Sequence, residues 1–263
     1  MNKKESLLDQ SLLIPFAILT AISIVFIYSS SSVVADTDFG NQYFYLQRQL
    51  IALSIGLLAG AIFLFIPISF YKENGLLLIL FSAFLLSLVF IPGIGVEKNG
   101  SLRWINIGFN IQPSEIAKIF VPIYLCGYCL RRKEQLENSW WGFIKPLILT
   151  SIISILLLLE MDLGATVVIF AIGIIILFIG GAKFNQLLLL FLVFLSTVIL
   201  IAYFNEERWS RVISFSNPWD DVGNSDYQLI NALVASVQGG FSGLGIGEST
   251  QKYYFLPESH TDF

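Results

Sequence analysis

Seven apolar runs of membrane-crossing length constrain this chain more than any other feature. They are Leu12–Ser32, Leu50–Ile66, Leu76–Ile91, Ser114–Leu130, Ile144–Leu159, Leu163–Ile179 and Gln186–Phe204. A helix needs roughly 20 apolar residues to cross the hydrocarbon layer, and hydrocarbon offers backbone N–H and C=O groups no partner but the helix itself. The expected fold class is therefore all-α: a polytopic integral membrane helix bundle with about seven spans. Charged residues make up only 13% of the 263 residues, where soluble chains carry about 25%. Prolines 15, 67, 92, 113 and 146 fall near span ends, where a missing N–H is least costly. The first run reads as a retained helix that also directs insertion. The fifth and sixth runs, separated only by "EMDLG", read as a tight helical hairpin or a broken pair.

Orientation follows from the basic residues. "RRKEQLEN" (131–138) is the basic cluster and "ADTDFGNQ" (35–42) is acidic. With the N-terminus inside, residues 34–48, 92–113, 160–162 and 205–263 fall outside. Two domains are expected: a transmembrane bundle over 1–204 and a large extracytoplasmic loop over 205–263. Within the loop, Tyr227, Leu229, Ile230, Leu233, Val234 and Val237 recur at helical spacing, predicting a short amphipathic helix begun by Ser225 or Asp226 and stopped at Gly239-Gly240. "GGFSGLGIGES" follows, with five glycines in eleven residues. It reads either as a turn whose N–H groups approach an anion or sugar, or as a hinge.

The net charge of −4 argues against a nucleic-acid partner. Cys126 and Cys129 form a CxxC without a second pair or a nearby histidine. They read as small apolar helix residues, because a zinc site needs about four ligands. Ionisable residues at span ends are stronger signals, since each is costly in hydrocarbon unless paired or wet. Glu115 and Lys118 are three apart, share a helix face and can pair, with Ser114 as a candidate cap. The pair is either a helix-end ion pair or part of a site. Glu160 and Asp162 at the hairpin turn are either solvated turn residues or site carboxylates. The terminal loop interleaves Asp220, Asp221, Asp226, Glu248, Glu258, His260 and Asp262 with Arg208, Arg211, Lys252 and several aromatics. This mixture suits packing on an amphipathic lipid. The charges gather at the outer ends of helices and no inverted repeat is evident. Both facts favour an enzyme acting on a lipid-linked substrate over a transporter with a midplane site.

These blocks carry a resemblance. "NGSLRWINIGFNIQPSEIAK" resembles the G-x-x-RW…QPSE-x-x-K block of the SEDS family of peptidoglycan glycosyltransferases. "EMDLGATVVIFAIGIIILFIGGAK" resembles its P-D-L-G block, and "RVISFSNPWDDVG…QKYYFLPESHTDF" resembles its long outer loop, in its cell-division branch more than its elongation branch. The likeness runs from the first span to the last residue. It implies a bacterial inner-membrane protein, with a cytoplasmic N-terminus and an extracytoplasmic catalytic loop, at the division septum. Such a protein polymerises lipid II, the undecaprenyl-pyrophosphate-linked disaccharide-pentapeptide, into glycan strands. It works beside a class B penicillin-binding protein transpeptidase and other membrane proteins of the division machinery. It further implies a catalytic role for Asp262 and site roles for Trp104, Glu115, Lys118 and Asp162. The alternative function is a lipid II flippase or a non-catalytic division scaffold.

An α-linked donor giving a β-linkage implies one inverting displacement, which needs a base and stabilisation of the departing pyrophosphate. Asp262 is the candidate base. Arg103, Lys118, Lys252 and the glycine-loop amides are candidates for the leaving group. Glu258 is placed with the site, and His260 is either a second base or a hydrogen-bonding turn residue. The sequence calls for no particular cofactor. A divalent cation would suit the pyrophosphate, but no ligand set demands one. Two departures stand out. Met161 occupies the family's Pro position, predicting a looser turn, and the family has about ten spans, so the chain is expected to be a C-terminally truncated member.

Overall fold

The computed structural model describes residues 9–98, 101–106, 108, 110–205, 209–210, 212–213, 219 and 227–250. Each expected apolar run is a helix: α1 (Gln10–Phe39), α2 (Phe44–Phe65), α3 (Ile68–Leu88), α4 (Pro113–Arg131), α6 (Trp140–Leu159), α7 (Leu163–Ile179) and α8 (Phe184–Tyr203). A short α5 (Lys133–Asn138) lies in the basic cluster, and α9 (Tyr227–Gly239) is the expected amphipathic helix. Among the described residues five helices, α1, α2, α3, α6 and α8, are long and apolar enough by themselves to cross a membrane, while α7 is apolar over 17 residues. The candidate caps Ser225 and Asp226 lie outside the described residues. Gly240 ends α9 at φ +56°, its N–H donating to the Ser236 carbonyl.

Packing divides the chain into two compact units, one of residues 1–65 with 199–263 and one of 66–198. The expected boundary at 204/205 separates membrane from loop, a different division from this one. In the first unit α1 packs on α2. α1 is capped by Asp9, whose carboxylate accepts from the Ser11 N–H, and ends at Gly40 with φ +65°. The serines of "YSSSS" do not end this helix. Ser30 and Ser31 turn their hydroxyls back onto the Phe26 and Ile27 carbonyls, which satisfies these polar groups within an apolar helix.

The second unit is built around α4, which packs against α3, α6 and α7. Its inward face places Ala117, Val121, Tyr124 and Leu125 at helical spacing. They meet Ile79 and Leu86 of α3, Ile153 and Leu157 of α6, and Ile169 of α7 in one buried cluster. α3 lies so close to α4 that a Cβ at Gly75 would stand 3.1 Å from the Tyr124 Cα. A second cluster gathers Cys129, Leu136, Phe143, Leu177 and Leu187. Cys129 thus fills an apolar position, and both cysteines are free thiols. At this end the Arg131 guanidinium donates to the Lys72 carbonyl, and the Tyr128 hydroxyl donates to the Gly142 carbonyl at 2.7 Å.

At the opposite end the segment 95–111, expected as a connecting loop, is a three-stranded antiparallel sheet of β1 (Gly95–Lys98), β2 (Ser101–Asn106) and β3 (Asn110–Ile111). Val96 pairs with Trp104 but Glu97 pairs with Leu102, so Arg103 is the extra residue of a β-bulge. A bulge bends its strand and re-aims the side chain it carries.

Candidate functional site

The site lies at the sheet end of the 66–198 unit, where β2, the start of α4 and the α6–α7 turn meet. α6 stops in a Schellman arrangement. The Met161 N–H donates to the Leu158 carbonyl at 3.1 Å and the Asp162 N–H to the Leu157 carbonyl at 2.9 Å. Met161 itself sits at φ +61°, a left-handed conformation normally left to glycine or asparagine. Proline could adopt neither this φ nor the Met161 N–H bond. The departure at 161 is therefore not the looser turn expected but a different one, closed by two backbone hydrogen bonds.

Asp162 then opens α7. Its Oδ1 accepts from the Ala165 N–H at 3.0 Å, as an N-cap does. Its Oδ2 accepts from Gln112 Nε2 at 3.1 Å. Gln112 is the residue before Pro113, which takes the first helical position of α4. The start of α4 is thereby fastened to the start of α7. Ser114 is not the α4 cap: it falls inside the first turn, fully buried, and its Oγ has no partner. Proline at N1 moved the helix start one residue upstream of the expected cap.

A second tether comes from the bulge. Arg103 donates Nη2 to the Met161 carbonyl at 2.7 Å, while its Nε is buried without a partner. Trp104, beside it, is half-buried. Thus Arg103, Gln112 and Asp162 converge on one turn through bonds spanning 58 and 50 residues of sequence.

The reading of Glu160 and Asp162 as solvated turn residues is not what the structure holds. Glu160 is 1% exposed and Asp162 is 6% exposed. Both Glu160 oxygens are buried without a hydrogen bond. Burial first, and then the nearby Asp162 charge, push the Glu160 carboxyl up to about 8, with the Arg103 guanidinium opposing both. An unpartnered carboxylate in an apolar setting costs several kcal/mol, and holding a proton avoids that cost. Burial without a partner thus favours the protonated form of Glu160.

Glu115 and Lys118 form the expected i, i+3 ion pair at 2.6 Å. Glu115 is 61% exposed and Lys118 29% exposed at the side chain, on the first turns of α4. Among the described residues no three His, Cys, Asp or Glu side chains converge as a cation-binding group. Lys252, Glu258, His260 and Asp262 lie outside the described residues. The glycine-rich turn is described to residue 250. Gly240, Gly243, Gly245 and Gly247 all have positive φ, and Phe241 and Ile246 project from it fully or largely exposed.

Sequence reasoning placed Arg103, Trp104, Asp162, Glu115 and Lys118 in the site, left Glu160 open between a solvated turn residue and a site carboxylate, and passed over Gln112. Gln112 stood in plain view in the "QPSE" block. Its reach to Asp162 depends on a pairing across 50 residues that no local pattern encodes.

The chain is similar to known proteins over nearly its whole length. Residues 9–263 match the FtsW/RodA/SpoVE model, described as cell cycle proteins. A probable peptidoglycan glycosyltransferase FtsW of Pseudomonas fluorescens is 42% identical over 257 residues, covering 97% of this chain and 63% of that protein. Its namesake in Hahella chejuensis is 39% identical over 264 residues, covering 100% of this chain and 66% of that one. The chain therefore spans about two thirds of the length of these curated relatives. Among solved structures, a peptidoglycan synthase complex that coordinates polymerization and crosslinking contains a chain of the same fold, with TM-score 0.67 and 27% identity. The match covers 86% of this chain and 64% of that one. The Thermus thermophilus rod shape determining protein RodA shares the fold at TM-score 0.55 and 24% identity, over 83% of this chain and 72% of that one. A family match across the described spans, the α6–α7 turn and the terminal loop, together with the helical membrane fold, makes this chain a member of the FtsW/RodA/SpoVE family of cell cycle proteins.

Proposed function

We propose that the protein to which this chain belongs is a peptidoglycan glycosyltransferase that polymerises lipid II into glycan strands during septal wall synthesis. The observation that carries this is the alignment of 97% of the chain, at 42% identity, with a relative named for that activity. The local geometry suits the chemistry. Arg103 and Lys118 bring cationic groups to the end of the bundle where α6 turns into α7, and a departing pyrophosphate needs such donors. The base for the acceptor hydroxyl is Asp262, within a 205–263 loop that packs on the lipid-linked substrate. Trp104, Lys252, Glu258 and His260 are further substrate-binding residues. Asp162 acts by holding the turn, and Glu115 by aiming Lys118.

In the cell the protein sits in the bacterial inner membrane with its N-terminus in the cytoplasm and the Arg103–Asp162 end outside. In support, Lys72, Arg131, Lys133 and Lys183 all belong to the opposite end of the 66–198 unit, as the positive-inside rule asks. Its partner is a class B penicillin-binding protein transpeptidase at the septum. The likeness to a synthase complex that couples polymerization to crosslinking supports this.

The test is polymerisation of labelled lipid II by the full-length protein with its transpeptidase, wild type against Asp262→Asn. Wild type makes glycan strands and the variant, still folded and partner-bound, makes none. Glycan made by the variant at the wild-type rate overturns the base assignment. A wild type that makes none but moves lipid II between leaflets overturns the enzyme reading.

A further inference from the structure

Three side chains at the sheet end of the 66–198 unit keep buried polar atoms without partners: Arg103 at Nε, Ser114 at Oγ and Glu160 at both carboxyl oxygens. Glu160 is the ionisable one with no role in the reading above. Its neighbour two residues on, Asp162, spends both oxygens on N–H donors, whereas Glu160 spends neither. Arg103 is held one residue from Glu160, on the Met161 carbonyl, and its charge reaches the Glu160 carboxyl. The orphaned Nε and the orphaned carboxyl are thus complementary, with the Arg103 side chain anchored one residue from Glu160.

The other charged groups nearby do not satisfy Glu160. Asp162 repels its charged form. On α4, Glu115 and Lys118 are paired with each other. The charges of α3 and α6 (Lys72, Glu73 and Lys145) lie about four turns or more down their helices from the sheet end. Among the described residues, Arg103 is the cation whose charge reaches the Glu160 carboxyl.

We infer that Glu160 is a positioning residue that works with its proton on. Neutral, it leaves the Arg103 guanidinium aimed by the Met161 carbonyl, with its remaining donors open to a phosphate-bearing lipid. Ionised, it draws the Arg103 Nε–H into an internal ion pair and withdraws the guanidinium from the ligand. The proton lost in that change goes to solvent. Coupling runs both ways: a phosphate on Arg103 screens a charge that favours Glu160 ionisation, so ligand binding holds the proton more firmly. The ligand class rests on the glycosyltransferase reading, whereas the proton on Glu160 does not.

Two measurements on the full-length protein in detergent test this. Infrared titration of the carboxyl C=O band, wild type minus Glu160→Gln, is expected to show one buried carboxyl losing its proton near pH 8. Asp162→Asn moves that midpoint down by removing a repelling charge, a control that needs no glutamine variant. Binding of undecaprenyl pyrophosphate to wild type is expected to weaken by about tenfold as pH rises through this midpoint, within the usual range of site coupling. Glu160→Gln removes that pH dependence, and Arg103→Gln lowers affinity at every pH. A carboxyl that titrates near 4.5, or a Glu160→Gln variant that keeps the same alkaline loss of affinity, overturns the inference. Failure of lipid II polymerisation with both results intact would instead overturn the proposed function.

Discussion

Asp162 carries two loads, and substitutions can separate them. In Asp162→Ala the α7 cap is lost, which costs about 1 kcal/mol. The half-buried Gln112 Nε2–H, now beside a methyl group, loses its charge-assisted bond to that turn, at about 1–3 kcal/mol. The expected destabilisation is about 2–4 kcal/mol. Asp162→Asn keeps an Oδ1 acceptor at the cap, where asparagine and aspartate serve alike, and a flip of the Gln112 amide restores the second bond. Its cost is therefore about 1 kcal/mol or less. Gln112→Ala removes the other half of the link. The Asp162→Ala, Gln112→Ala double variant should be less destabilised than the sum of the singles, by about 0.5–3 kcal/mol. The assay is unfolding of the purified full-length protein in detergent, followed by circular dichroism at fixed detergent and pH. If Asp162→Asn falls as far as Asp162→Ala, or if the double variant is additive, the Gln112–Asp162 bond does not hold the turn and the argument fails.

Three shorter predictions follow from the same end of the molecule. Because the folded-state value of Glu160 is raised from 4.5 to about 8, the folded protein keeps a proton that the unfolded chain releases. Stability should decline as pH rises across that interval, by at most about 1.4 kcal/mol per pH unit before solvent screening, and level off above it; Glu160→Gln should lack this decline in melting curves between pH 5 and 9. Glu115→Gln should leave the melting temperature nearly unchanged, since an exposed i, i+3 pair is worth about 0.5 kcal/mol. Glycan synthesis by the same variant should fall more than tenfold if the pair aims Lys118 at substrate, and unchanged synthesis would return the pair to a helix-end staple. Met161→Gly should raise stability by about 1 kcal/mol by relieving the left-handed backbone, and a loss in thermal unfolding would contradict the turn described.

The spans were legible because lipid leaves a helix no alternative: a long apolar run has one way to satisfy its backbone. Their ends were less so. α3 begins at Ile68, not Leu76, because "YKEN" continues helical despite its charges, and the break comes earlier, at Pro67. α1 runs on to Phe39 through its serines. The sheet left no periodic signal, since β1 and β3 are four and two residues long and β2 is interrupted by the bulge at Arg103. The site divided along the same line. Glu115 and Lys118 pair within one helix and could be read from their spacing. Glu160 looked solvated because a charged residue in a short turn usually is. Its burial comes from α4 and β2 folding over that turn, which sequence spacing does not express.

The hydrogen bonds from Arg103 to Met161 and from Gln112 to Asp162 close loops of 58 and 50 residues, and this sets an order of assembly. Loop closure of that length carries its entropic cost before any contact repays it. During synthesis the strands and the start of α4 emerge first, and the Arg103 and Gln112 side chains gain these bonds only once the α6–α7 hairpin is in place. The hairpin acts as the latch of this end of the molecule. Protection of residues 95–112 from protease in nascent chains should therefore arise only after the chain has been extended past Asp162 and α7 has inserted.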